Sequence, residues 1–93
     1  MGAAASARLL AVGATWRLTG VPAAGRALTA AVSAGAETER TLAGMLLVRA
    51  GDRSVPVVAA AIRAGGDVAA LTDVLASIDS PAAREEVRRL RRP

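Results

Sequence analysis

Glycine, proline and helix-capping residues divide this chain of 93 residues into six short segments of similar length. Within each segment the apolar residues lie three and four positions apart, which is the spacing of one helix face, and no segment alternates as a strand does. The pattern therefore predicts an all-α protein. The expected helices cover about 4–17, 22–34, 37–49, 53–64, 68–78 and 81–92.

Residues that favour helix starts support these boundaries. The expected capping residues are, in chain order, Thr38, Asp52, Asp67 and Ser80. Each brings an oxygen that can accept a hydrogen bond from the free N–H groups at the start of a helix. Pro56 falls in the first turn of the fourth helix, where its missing N–H costs little.

Alanine limits the size of the hydrophobic core. Hydrophobic residues make up 53% of the chain, but 24 of the 93 residues are alanine, which contributes little burial energy. A chain of this length forms one domain, 1–93, near the lower limit for a core without disulfides or metals. The expected centre of that core consists of Leu42, Met45, Leu46, Val55, Val58, Ile62, Leu71 and Leu75.

The residue types that are missing argue against catalysis. The sequence has no Cys, His, Lys or Tyr, which removes the usual ligands of zinc, haem and iron–sulfur clusters and most nucleophiles and bases. The aspartates at 52, 67 and 79 occupy expected caps or turns, and no pair of acids is spaced to converge on one site. We therefore expect a non-enzyme with no catalytic residues, no cofactor and no metal site.

The apolar segments are too short to cross a membrane. A spanning helix needs about 18 or more apolar residues, and the apolar run near the N-terminus is cut by Arg17. We expect no membrane span and a cytoplasmic location. Basic residues that are all arginine, together with abundant Ala, Gly and Val, are typical of proteins from GC-rich bacterial genomes.

The six segments also form three similar pairs with a period near 30 residues. The dipeptide at 34–35, Ala-Gly, recurs at 64–65, and Trp16-Arg17 corresponds to Val48-Arg49. Such a period is typical of stacked helical repeats. A non-repetitive six-helix bundle is the alternative.

One segment carries a family resemblance. Residues 49–67, which begin Arg-Ala-Gly-Asp-Arg-Ser-Val-Pro, resemble the turn and second helix of a HEAT-like repeat, and 78–84 resemble the same turn in the next copy. The resemblance covers 37–93 well and 4–35 weakly. It implies a short right-handed α-solenoid of three antiparallel helix pairs, with repeats at about 4–35, 37–65 and 67–93. It also implies that the second helices line a concave surface that binds macromolecules.

Positive charge is concentrated in the second helix of each pair. The whole chain has a net charge of +4, whereas the second helices hold eight arginines and two glutamates, a net of +6. One interpretation is a solvated basic end, with a Glu85–Arg89 pair four residues apart. The other is a surface for an acidic partner. The candidate partner-binding residues are Arg26, Arg63, Arg84, Arg88, Arg91 and Trp16, the last of which is otherwise a core residue.

The first helix carries few polar residues for the end of a repeat stack. Leu9, Leu10, Val12 and Trp16 leave it without the polar outer face of a capping repeat. We therefore expect a protein-interaction module, an adaptor or small accessory subunit. It would bind another protein, an acidic one if the arginines form a binding surface, or self-associate. The alternative is a basic helical repeat protein that binds nucleic acid, although a single aromatic residue offers little for base stacking.

Overall fold

The computed structural model describes residues 3–92, and every regular element in that range is helical. The helices are α1 (Ala3–Thr19), α2 (Pro22–Ala34), α3 (Glu37–Ala50), α4 (Ser54–Arg63), α5 (Val68–Ile78) and α6 (Pro81–Arg91). A 3₁₀ turn, Gly51–Arg53, leads into α4. The all-α prediction is confirmed, and the predicted boundaries agree with the observed ones to within two residues at every end.

Two of the predicted caps are confirmed. The Asp67 carboxylate accepts a hydrogen bond from the backbone N–H of Ala70 at 3.1 Å, at the start of α5. The Ser80 hydroxyl accepts one from the backbone N–H of Ala83 at 3.0 Å, at the start of α6. Both side chains therefore satisfy N–H groups that the helix itself leaves free.

The other two predicted caps are wrong. Asp52 lies inside the 3₁₀ turn, which runs directly into α4 and leaves no extended N-cap position, so its carboxylate instead accepts a hydrogen bond from the Ser80 hydroxyl. Thr38 does not cap α3. The Glu39 carboxylate takes that place and accepts a hydrogen bond from the backbone N–H of Ala36 at 3.1 Å.

The core is built mainly from leucine and valine. The largest fully buried side chains are Leu28, Leu47, Leu71, Leu75, Val32, Val58 and Ser54. Among the predicted core residues, Val55, Val58, Leu71 and Leu75 are buried, whereas Leu42, Leu46 and Ile62 are partly buried and pack against the core. Met45 is 60% exposed, so its assignment to the core is wrong.

Helix α3 occupies the middle of the fold. It packs against α1, α2 and α5, while α4 packs against α2, α5 and α6. Its buried residues are Ala43 and Leu47, which fixes the side of the helix that faces inward. Met45 lies on another side and reaches solvent, so α3 is not covered all round as its uninterrupted apolar sequence predicts.

Two helical glycines differ in the space around them. A Cβ atom on Gly13 would lie 2.7 Å from Leu46 Cδ2, so α1 approaches α3 closely there. A Cβ atom on Gly44 would be 3.7 Å from Val74 Cγ2, an ordinary contact. The close approach predicted at glycine therefore exists at Gly13 and not at Gly44.

This difference gives a matched pair of substitutions. We expect Gly44→Ala to raise the free energy of unfolding by about 0.5–1 kcal/mol, because alanine has the higher helix propensity. We expect Gly13→Ala to lower the free energy of unfolding, because Leu46 packs against the core and would have to move. Urea unfolding followed by circular dichroism measures both, and shifts of the same sign in the two variants would contradict these contacts.

Candidate functional site

Trp16 is a core residue. Its side chain is 5% exposed, and a Cβ atom on Gly25 would lie 2.8 Å from its ring. The indole Nε1 donates a hydrogen bond to Ser54 Oγ at 2.9 Å, and Ser54 Oγ donates to the carbonyl of Leu47 at 2.7 Å. The structure therefore supports the core interpretation and removes Trp16 from the candidate partner-binding surface.

The arginines of α6 are largely paired within the chain. Arg84 contacts Asp79 at 2.8 Å, and Arg88 contacts Glu85 at 2.5 Å. The hydrogen bond and charge of Arg88 hold the pKa of Glu85 below its usual range. The predicted Glu85–Arg89 pair is wrong, since Arg89 contacts Glu86 instead, at 3.4 Å and three residues away.

Glu86 joins two helices through its carboxylate. Its side chain is 11% exposed and contacts Arg63 of α4 at 3.5 Å as well as Arg89 of α6. The Arg63 side chain remains 60% exposed, so it can hold Glu86 and still present a charged edge to solvent. The contact connects α4 to α6 and takes up part of the positive charge predicted to attract a partner.

Two candidate arginines, Arg26 of α2 and Arg91 of α6, differ from the others in their pairing. Arg26 and Arg91 are exposed and form no ion pair within residues 3–92. Arg26 lies beside a shallow groove of about 580 Å³ between α2 and α4, whose other lining residues are small or apolar except for Thr29 and Ser33. The candidate arginines are distributed over three helices, α2, α4 and α6.

The outer face of α1 exposes large apolar side chains. Leu10 is 53% exposed and Leu18 is 74% exposed. The exposed positions between them include Ala11 and Ala14. Nothing in residues 3–92 covers this side of α1, which we call the α1 face. Of the apolar residues predicted to lie uncovered on the first helix, only Leu10 belongs to this face, because Leu9 and Trp16 are buried in the core and Val12 packs against it.

Positive charge borders the α1 face. Arg8 and Arg17 are exposed, and α1 contains no acidic residue. Beside the face, a small groove of about 200 Å³ runs between α1 and α3, lined by Leu10, Gly13, Ala14, Arg17, Leu46 and Arg49. This groove combines an apolar floor with two guanidinium groups and no carboxylate, so it suits an apolar side chain that lies next to an acidic one.

Another groove lies between α3 and α5, with the end of α2 at one side. Its volume is about 780 Å³, which is in the range of binding clefts. Its lining residues are Val32, Gly35, Glu37, Arg40, Thr41, Gly44, Met45, Val48, Arg49, Ala70, Asp73, Val74 and Ser77. The sequence pattern did not predict this groove. The one available signal is Gly44, which leaves space where a larger residue would fill the gap between the helices.

One residue that lines this groove, Arg40, forms an ion pair. Arg40 contacts the Asp67 carboxylate at 2.5 Å. The backbone N–H of Ala70 and the Arg40 guanidinium together hold the pKa of Asp67 below its ordinary value of 3.8. Folding therefore favours the ionised carboxylate.

The lowered pKa of Asp67 predicts a pH effect. The folded state binds fewer protons at this site than the unfolded state, so the stabilisation is present above pH 3.8 and is lost as the pH falls through the lower folded value. We expect the difference in melting temperature between the native protein and the Asp67→Asn variant to shrink between about pH 4 and pH 2. A difference that stays constant over that range would contradict the ion pair.

Metal-binding clusters and membrane-spanning helices are both absent from residues 3–92. No group of three or more metal-ligating residues lies close enough together in that range to hold a metal ion. No helix of the described chain is both long and apolar enough to cross a membrane.

Comparison with known proteins adds no relative. The chain matches no protein family, no curated protein and no solved structure.

Proposed function

We propose that this chain is a non-enzymatic protein-interaction module, an adaptor or small accessory subunit, that binds a partner protein through the α1 face. The observation that carries the proposal is the exposure of Leu10 and Leu18 on a helix side that no described element covers. An exposed apolar patch on a small protein typically marks an interface. The proposed setting is the cytoplasm.

We further propose that the three helix pairs stack as a short right-handed solenoid of the HEAT-like type. Contacts between equivalent elements support the stacking. Helix α1 packs against α3, and α3 packs against α5. Likewise α2 packs against α4, and α4 packs against α6. The turns correspond as well, since the Asp52 carboxylate between α3 and α4 accepts a hydrogen bond from Ser80, between α5 and α6.

This arrangement explains why α1 is open. In the proposed stack α1 is a terminal helix, a position that usually carries a polar outer face in helical-repeat proteins. The other end of the stack is α6, which is rich in arginine and glutamate. The two ends therefore differ, because α1 exposes Leu10 and Leu18 whereas the exposed residues of α6 are mostly charged.

The charges near the α1 face favour an acidic partner over a second copy. Arg8 and Arg17 border the face, and Arg49 lies in the adjoining groove. Two copies that met through α1 would bring arginines together with no carboxylate on either α1 helix. A partner with carboxylates beside leucine-like side chains meets both the apolar surface and its charge.

We propose Arg26 and Arg91 as secondary partner contacts, on the surface formed by the second helix of each pair, α2, α4 and α6. Arg63, Arg84 and Arg88 belong to the same proposal, but each already contacts a carboxylate of this chain. A partner carboxylate would therefore compete with an existing ion pair at these three positions, and exposed pairs of this kind are weak. We expect the second-helix arginines to adjust the affinity and the α1 face to supply most of it.

The test compares matched surface variants as bait in cells of the source organism. We expect the native chain and a Val68→Ser control, which changes an apolar residue that is 57% exposed on α5, to recover the same partner. The Leu10→Ser/Leu18→Ser variant should lose that partner, and Arg17→Glu should weaken its recovery at least several-fold. Recovery unchanged by the α1 variants, or no partner from the native chain, would refute the proposal.

A duplex DNA binding measurement on the native chain tests the nucleic-acid alternative. Five of the eight second-helix arginines contact carboxylates, and the single aromatic side chain is buried, so neither free charge nor stacking favours this function. We expect weak duplex DNA retention that disappears near physiological salt. Sub-micromolar duplex binding at about 0.15 M salt would instead make nucleic acid the primary ligand.

A further inference from the structure

The exposed edge of α3 has opposite charges at its two ends. Glu37, Thr41, Met45 and Arg49 are spaced four residues apart, so they follow one side of the helix, and all four are exposed. They also line the groove between α3 and α5. The edge is therefore acidic at its start, apolar at Met45 and basic at its end.

This order of residues is complementary to itself when reversed. If a second α3 helix lies antiparallel to the first, with the twofold axis midway between Thr41 and Met45, each Glu37 faces the Arg49 of the other copy. Each Met45 then faces the other copy's Thr41. A twofold interface uses the same surface patch on both chains and needs this property. A parallel pair would place Glu37 against Glu37, which like-charge repulsion disfavours.

The groove has room for the incoming side chain. Met45 is 60% exposed and lines the groove. Beside it, Gly44 brings no side chain into the groove, and a Cβ atom added there would be in ordinary contact with Val74, at 3.7 Å. Methionine is flexible enough to fill such an irregular gap.

The charges of the groove agree with this occupant. Arg40 is already bound to Asp67 at 2.5 Å, so it does not compete for Glu37. Glu37 and Arg49 form no ion pair within the described part of the chain. Each is therefore free to pair across an interface.

We propose that the exposed edge of α3 and the α3–α5 groove form a homodimer contact, with two Glu37–Arg49 ion pairs around a pair of Met45 side chains. This surface shares Arg49 with the small groove beside the α1 face but involves neither Leu10 nor Leu18, so the proposal does not depend on the proposed function. The area buried by this contact would be about that of one pair of packed helices, which is at the small end of the range for specific interfaces. We expect a weak dimer with a Kd on the order of 10–100 μM.

The twofold symmetry allows a decisive charge-swap experiment. Sedimentation equilibrium from about 10 to 500 μM would compare the native chain, Glu37→Arg, Arg49→Glu, the double variant, and an equimolar mixture of the two single variants. Each single variant places like charges together twice and should dimerise at least ten-fold more weakly. The double variant should recover dimerisation to within about three-fold, and the mixture should form a heterodimer tighter than either single variant alone.

Two controls separate association from folding. Arg53→Glu makes the same charge change as Arg49→Glu at an exposed residue outside both proposed surfaces and should leave dimerisation unchanged. Met45→Ser alters only an exposed side chain, so it should weaken the dimer while the circular dichroism spectrum of the diluted protein stays native. A native chain that stays monomeric at 500 μM would overturn the proposal, and so would a dimer whose affinity is unchanged by both single charge reversals. So would a mixture that associates no better than its components.

Discussion

Leu47→Asp is expected to abolish folding, whereas Met45→Asp is expected to leave the folded structure intact. Leu47 is fully buried in the centre of α3, where a carboxylate would have no partner and no water. The loss combines a missing core leucine, about 2–5 kcal/mol, with the cost of a buried charge. Together these consume most or all of the stability of a small domain.

A series along α3 makes this test specific. Leu46 is only partly buried, so Leu46→Asp should fall between the two extremes, although the sequence pattern predicts Leu46 at the centre of the core. Circular dichroism and urea unfolding measure the order of stability, which we expect to be Met45→Asp, then Leu46→Asp, then Leu47→Asp. An unfolded Met45→Asp variant or a folded Leu47→Asp variant would show that α3 faces the core through a different side.

The second large effect is expected at the Trp16–Ser54 hydrogen bond. Ser54→Ala leaves the buried indole N–H and the Leu47 carbonyl without partners, and should cost about 1–3 kcal/mol. Trp16→Ala removes the largest side chain of the core and should cost about 3–5 kcal/mol. Urea unfolding followed by circular dichroism measures both losses.

A double-mutant cycle checks that the two residues act together. Trp16→Phe removes the indole donor and keeps an aromatic ring in the core. Combining it with Ser54→Ala should cost less than the sum of the single changes, because the second substitution no longer leaves an unsatisfied indole N–H. Strictly additive losses would show that the hydrogen bond contributes nothing measurable.

Helix boundaries were predictable because they depend on neighbouring residues. Glycine and proline interrupt the helices, and Asp67 and Ser80 cap α5 and α6 as expected. The orientation of α3 was not predictable, since its residues from Leu42 to Val48 include no polar side chain to indicate the exposed side. Ser54 was also missed, because its partner Trp16 lies 38 residues away in the sequence.

The interaction surfaces were predictable only where exposure follows from residue type. The few polar residues of α1 predicted apolar surface on that helix, but the prediction placed Leu9 and Trp16 there, which are buried, and missed Leu18. The arginine pairs were not predictable, since Glu85 and Glu86 could each reach arginines three or four residues away and the side-chain conformations decide between them. The α3–α5 groove depends on the spacing between two packed helices, which a local sequence pattern does not encode.

Site-specific photocrosslinking in cells tests the proposed role of the α1 face most directly. A benzoylphenylalanine would replace Leu18 on the α1 face in one strain and Ala82 on the exposed start of α6 in another. We predict a discrete protein adduct from position 18 that disappears when Arg17→Glu is added, and no such adduct from position 82. Equal crosslinking from both positions, or no protein adduct from position 18, would contradict the assignment of the α1 face as the partner-binding surface.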